Sequence, residues 1–104
     1  MFETIKRLFG IETTDYVQLM TEGAVIIDVR SNGEYSTGHI KGSINIPLDK
    51  LAANLHKLKV KNKPIITCCA SGIRSASAKG ILKSNGYANV HNGGAWQSLM
   101  HKIK

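Results

Sequence analysis

Along the chain, short runs of consecutive apolar residues alternate with longer stretches in which apolar residues recur every three or four positions. Continuous short runs fit strands buried on both faces, and the wider spacing fits amphipathic helices, so the alternation predicts βα units around a buried sheet. "TTDYVQLMTEG" offers Thr13, Thr14 and Asp15 as helix caps, Val17, Leu19 and Met20 as an apolar face, and Gly23 as a stop. "AVIIDV", residues 24–29, reads as a central strand, after which Ser31 or Asn32 starts a short helix ending at Gly38. "GSINIP", residues 42–47, is a short strand closed by Pro47, and "LDKLAANLHKL" repeats Leu48, Leu51, Leu55 and Leu58 at helical intervals.

The second half repeats the pattern. Strand "PIITC" leads through "CASGIRS" into helix "RSASAKGILKSNG", where Ala76, Ala78, Ile81 and Leu82 suit close packing and Gly86 suits a left-handed cap. A strand around Val90 and a helix "AWQSLMHKIK", with Trp96, Leu99, Met100 and Ile103 inward, complete it. Residues 1–12 form an N-terminal segment whose "FETIKRLFG" predicts a short amphipathic turn of helix, ahead of one domain over 13–104. The sum is an α/β three-layer sandwich: a mostly parallel sheet of four or five strands with helices on both faces.

Length adds one constraint, since 104 residues hold one compact core and no more. The longest apolar runs, "AVIID" and "PIITCCA", are far too short to cross a bilayer, and the acidic residues early in "MFETIKRLFGIETTDY" do not fit a secretory signal. A cytoplasmic location without membrane association is the expectation. Cys68 and Cys69, adjacent in sequence, cannot staple distant parts of a domain, which favours reduced thiols in a reducing compartment. Fourteen Lys plus Arg against seven Asp plus Glu give a formal charge of +7, which attracts anions. The basic residues are spread over wet helix faces, aromatics are few and no nucleic-acid motif is present, so a solvated basic face or a small-anion or acidic-partner preference is expected over nucleic-acid binding.

Candidate chemistry concentrates in "TCCASGIRSAS", residues 67–77. A turn between a buried strand and a helix points successive backbone N–H groups into one concavity, and the helix dipole adds positive potential. Ala70, Ser71 and Gly72 let that backbone curl tightly, and Arg74 at the rim offers a bidentate grip on an oxyanion. A cysteine at the base of such a cradle has its pKa lowered from about 8.5 into the range of roughly 3.5 to 7.5 and becomes a nucleophile at neutral pH. The bland alternative, both cysteines as small buried hydrophobes, is the commoner fate of free cysteine but does not explain the ordered loop around them.

Three blocks, "IIDVRSNGEYSTGHIKGSINIP", "PIITCCASGIRSASAKGILKSNGY" and "NVHNGGAWQSL", together resemble a single-domain rhodanese, a sulfurtransferase, from about Thr13 to the C-terminus. The resemblance implies transfer of a sulfane sulfur. A catalytic thiolate takes the sulfur from thiosulfate or another donor such as a persulfide, holds it as a persulfide and yields it to cyanide, a thiol or a protein acceptor, with no metal and no organic cofactor.

Counting from Cys69 gives Cys-x-x-Gly-x-Arg-Ser, the sulfurtransferase loop, with Ala70, Ser71, Gly72, Ile73, Arg74 and Ser75 forming the anion-binding loop. Counting from Cys68 leaves five residues before Arg74, the spacing of cysteine-dependent phosphatases and arsenate reductases, whose wider pocket accepts a tetrahedral oxyanion. Gly72 in register with Cys69, Thr67 where phosphatases commonly carry His, and no carboxylate in or just after the loop favour Cys69. Cys68 then ends the strand and packs on its opposite face; a redox role beside Cys69 would need an unusual backbone. In the resembling family Asp28 and Arg30 tie the strand end to neighbouring loops, Glu34 contacts the loop or its arginine, and His39 is a structural signature. His56, His91 and His101 lack metal-like spacing.

Overall fold

A computed structural model describes residues 14–58 and 61–104. The predicted N-terminal turn of helix within residues 1–12 lies outside them. Helix α1 is Tyr16–Thr21, capped by the Asp15 carboxylate accepting from the Gln18 N–H at 3.0 Å. Strand β1, Val25–Asp28, leads to α2, Asn32–Thr37, where Ser31 and Glu34 close a reciprocal capping box. After β2, Ile44–Asn45, come α3, Leu48–Leu51, and a 3₁₀ turn over Ala52–Lys57. Strand β3, Ile65–Cys69, runs into α4, Ile73–Ser84, and β4, Val90–Ala95, into α5, Trp96–Lys102.

All four strands are parallel in the order β2-β1-β3-β4. The chain leaves β1 toward one edge and returns at β3 toward the other, so the ordering reverses between these two central strands. Their carboxyl ends flank the crevice where doubly wound sheets place ligands. Strand alternation splits the core in two. Ile27, Val29, Ile65 and Cys69 face α3 and α4 with Leu51, Ala78 and Leu82; Ile26, Ile66 and Cys68 face α1 and α5 with Leu19 and Leu99. This is the expected three-layer α/β sandwich.

Details differ from the periodic reading. Val17 is 46% exposed, because in a helix this short only the Tyr16, Leu19 and Met20 side lies on the sheet. Ala76 is exposed on α4, whose buried stripe is Ser75, Ala78 and Leu82. The helix expected through Leu58 is α-helical only to Leu51 and continues as the 3₁₀ turn, whose end is held by the Tyr87 hydroxyl, its proton shared between the carbonyls of Leu55 at 3.2 Å and Leu58 at 3.0 Å. Strand β3 continues one residue past Cys68, because Cys69 still pairs with Ala95.

Candidate active site

Between Thr67 and Cys69 on β3 and Asn92 and Ala95 on β4 the register slips by one residue, making a β-bulge at Gly93 and Gly94. Only glycine fits at 93. A Cβ there would lie 2.8 Å from Ile66 Cγ2 and Leu99 Cδ2 and 2.9 Å from the Thr67 carbonyl oxygen. The bulge turns Asn92 toward the end of β3 and lets Gly72, left-handed at φ +101°, press against Gly94, whose Cα would stand 3.3 Å from a Cβ at 72. Gly72 is thereby the residue from which α4 starts.

That start delivers backbone donors to one sulfur. The Gly72 N–H points at Cys69 Sγ at 2.9 Å and the Ser75 N–H at 3.4 Å, while Ser75 Oγ stands 3.4 Å from the same atom. Cys69 has essentially no exposed surface. Burial is the largest single influence on its thiol and pushes the pKa up; the Ser75 hydroxyl and the N–H groups of Ser75, Gly72 and Ser71 favour the thiolate and together prevail, so the pKa lies below its ordinary value. Cys68, on the other face, is governed by burial and then by the Asp28 charge, and is pushed up to about 12. Among the described residues no N–H group cradles it, and it packs with Ile26, Ile40, Ile66 and Leu99.

Arg74 Nη1 and Nη2 donate to Glu34 Oε1 at 2.7 Å and Oε2 at 2.9 Å, a bidentate pair. The guanidinium fork expected to grip a substrate oxyanion is therefore closed on Glu34. The Arg74 guanidinium, helped by the Ser31 N–H and hydroxyl, holds the Glu34 carboxyl at about 2. Behind this, Arg30 Nη2 and Asp28 Oδ2 form a buried ion pair at 2.7 Å; the same Nη2 donates to the Gly38 carbonyl at 2.7 Å, and Nη1 to that of Glu34 at 3.2 Å. The guanidinium lies 4.6 Å from the Trp96 ring centroid. Asp28 and Arg30 thus anchor α2, and α2 carries Glu34 to Arg74. His39 stands apart, stacked on Tyr35 at 3.7 Å with Nδ1 donating to the Tyr35 carbonyl at 2.8 Å.

Ala70, Ser71 and Ile73 line the rim, Ile73 at 77% exposure. Beside it, Val29, Ser31, Pro47, Leu48, Asp49 and Arg74 line a hollow of about 330 Å³. The sequence reading missed Asn92, which donates through Nδ2 to the Gly72 carbonyl at 3.2 Å and accepts at Oδ1 from the Gly94 N–H at 2.9 Å and the Ser75 hydroxyl at 2.6 Å. An asparagine directly ahead of Gly-Gly at a strand end was the available signal. Among the described residues no three of His, Cys, Asp and Glu gather as metal ligands, and no helix is long and apolar enough to cross a membrane.

Residues 12–97 match the rhodanese-like domain family. The Escherichia coli thiosulfate sulfurtransferase PspE is 36% identical over 80 residues, covering 75% of this chain and 77% of that protein. A tRNA uridine(34) hydroxylase of Buchnera aphidicola is 33% identical over 78 residues, 70% of this chain but only 25% of the longer protein. Among solved structures, an Escherichia coli rhodanese with anions superposes with a TM-score of 0.68 at 34% identity, covering 72% of this chain and 89% of that one. With the sheet order, the cysteine loop and these likenesses in agreement, the chain belongs to the rhodanese-like domain family.

Proposed function

We propose that the chain is a sulfurtransferase that carries a sulfane sulfur on Cys69. The observation that carries this reading is the convergence of the Gly72 and Ser75 N–H groups on Cys69 Sγ at the start of a twelve-residue helix. Such a cradle favours an anionic sulfur. In the first half-reaction the Cys69 thiolate attacks the outer sulfur of thiosulfate. An S–S bond forms, the bond to the sulfonate sulfur breaks, and its electron pair leaves with sulfite. In the second, cyanide or a thiolate attacks the terminal sulfur, giving thiocyanate or a new persulfide and returning the Cys69 thiolate. Charge balances in each step, and no external oxidant or reductant is consumed.

Because Cys69 is covered, a donor reaches Sγ only if part of that cover moves aside. Free thiols suit a reducing compartment such as the cytoplasm. Intact mass after thiosulfate treatment tests the reading: wild type gains one sulfur atom and Cys69→Ser gains none. Absence of the gain in wild type sinks it.

The exposed Ile73 and the mostly apolar hollow beside Arg74 favour a second reading, in which the physiological acceptor is a protein or an organic thiol rather than cyanide. Single-turnover transfer from persulfidated protein separates the two. Loss of sulfur to a protein thiol much faster than to cyanide supports the carrier reading, and equal rates remove it.

A further inference from the structure

The hydroxyl of Ser75 has one proton and two claimants, Cys69 Sγ at 3.4 Å and Asn92 Oδ1 at 2.6 Å. Which of them holds it is decided by the orientation of the Asn92 amide. Its nitrogen must donate to the Gly72 carbonyl, and its oxygen must accept from the Gly94 N–H, which can only donate. Oδ1 therefore faces Ser75 and takes the hydroxyl proton at the shorter distance. While Cys69 is a thiol, its S–H meets a lone pair of Ser75; the same hydroxyl favours the thiolate only once its proton has turned from Asn92 to the sulfur.

We propose that Asn92 is a positioning residue that holds the Ser75 proton away from the sulfur, so that Ser75 changes from acceptor for the Cys69 thiol to donor for its thiolate or persulfide by rotation about one C–O bond. The assignment rests on Cys69 being the sulfur-carrying nucleophile. No heavy atom needs to move, and Asn92 Oδ1 keeps its Gly94 donor when the hydroxyl turns away. The anion then gains the hydroxyl as a donor beside the backbone N–H groups only after the proton has left Asn92, which sets a threshold on activating the thiol. The charged groups around the loop sit in closed pairs: Arg74, which is coupled to this sulfur, is held by Glu34, and Asp28 and Arg30, which act on the neighbouring Cys68, are held by each other.

The test is the pH dependence of Cys69 alkylation by iodoacetamide, located by peptide mass, in wild type, Asn92→Ala, Ser75→Ala and the double variant. Asn92→Ala frees the hydroxyl to face the sulfur permanently and is expected to lower the alkylation midpoint by about one pH unit. In the Ser75→Ala background the same substitution is expected to do nothing. An unchanged or raised midpoint in Asn92→Ala, or the same fall without Ser75, overturns the proposal, the latter by showing that Asn92 acts only through Gly72 and Gly94. If Asn92→Ala fails to fold by circular dichroism, Ser75→Ala alone decides: a shift of a few tenths supports the switch, and a rise of about one unit, the mark of a standing donor, overturns it. Alkylation requires no sulfur donor, so a wild type that never gains sulfur from thiosulfate defeats the sulfurtransferase reading without touching this result.

Discussion

Two neighbouring thiols on one strand differ because successive side chains point to opposite faces. Cys69 turns toward the start of α4 and meets N–H donors, whereas Cys68 turns toward α1 and α5 and meets hydrocarbon. At pH 8 a limiting amount of iodoacetamide is expected to label Cys69 and spare Cys68, a thiol pushed up to about 12, in the folded protein. Cys68→Ala is expected to keep sulfur loading within a few-fold of wild type while lowering stability by about 1 kcal/mol, the order of a small truncation in a packed core, measurable by urea unfolding. Loss of loading in Cys68→Ala with the fold intact would give Cys68 a chemical part. At the loop's mouth the sign of the Glu34 effect is fixed by its depressed pKa, about 2 against an ordinary 4.5. The stability it contributes is complete above about pH 4.5 and disappears as pH falls through about 2, so the gap in unfolding free energy between wild type and Glu34→Gln is expected to be wider at pH 7 than at pH 3. A gap independent of pH would mean that the carboxylate charge is not what ties Arg74 down.

Elements were legible in the sequence to the extent that their causes are local. The β3-loop-α4 unit declares itself through a continuous apolar run, a glycine and a helical spacing, all within residues 64–86, and Gly72 with Arg74 in register picks out Cys69. What stayed hidden depends on partners far along the chain. Tyr87 holds the 3₁₀ end of "LDKLAANLHKL" from about thirty residues away, and Asn92 reaches the loop only because β4 lies beside β3. The loop alone reads Arg74 as an anion grip; the contact with Glu34 was expected only from the family resemblance, because the fold that brings α2 across is not written in the loop. The β4 bulge is the element on which the site's geometry depends most. Gly93→Ala places a methyl into Ile66, Leu99 and the Thr67 backbone and is expected to cost about 1–3 kcal/mol by urea unfolding, with a larger fractional loss of sulfur loading than of folded protein. Wild-type stability in Gly93→Ala would show that β4 can repack around the methyl.

Across the whole molecule, a formal charge of +7 coexists with a cysteine loop whose own cation, Arg74, is paired with Glu34. On the proposed sulfurtransferase reading an anionic donor is expected to be drawn in by the summed field of dispersed lysines rather than by a dedicated grip, and such a field is screened by salt over a Debye length that shrinks from about 30 Å at 0.01 M to about 8 Å at 0.15 M. Thiosulfate, a dianion, is expected to load Cys69 several-fold more slowly at the higher ionic strength, while an uncharged organic persulfide donor changes little. Glu34→Gln removes the neutralising partner and leaves Arg74 facing the loop mouth as an unpaired cation, so it is expected to raise the thiosulfate loading rate and make the slope with salt steeper. Stopped reactions read by intact mass, with wild type and Glu34→Gln over one series of salt concentrations, measure both. A thiosulfate rate insensitive to salt in wild type would locate the anion's recognition in the backbone amides alone. A slower Glu34→Gln would mean that the ion pair's work is to hold Arg74 and α4 in place for the Cys69 cradle, outweighing any gain in positive charge at the mouth.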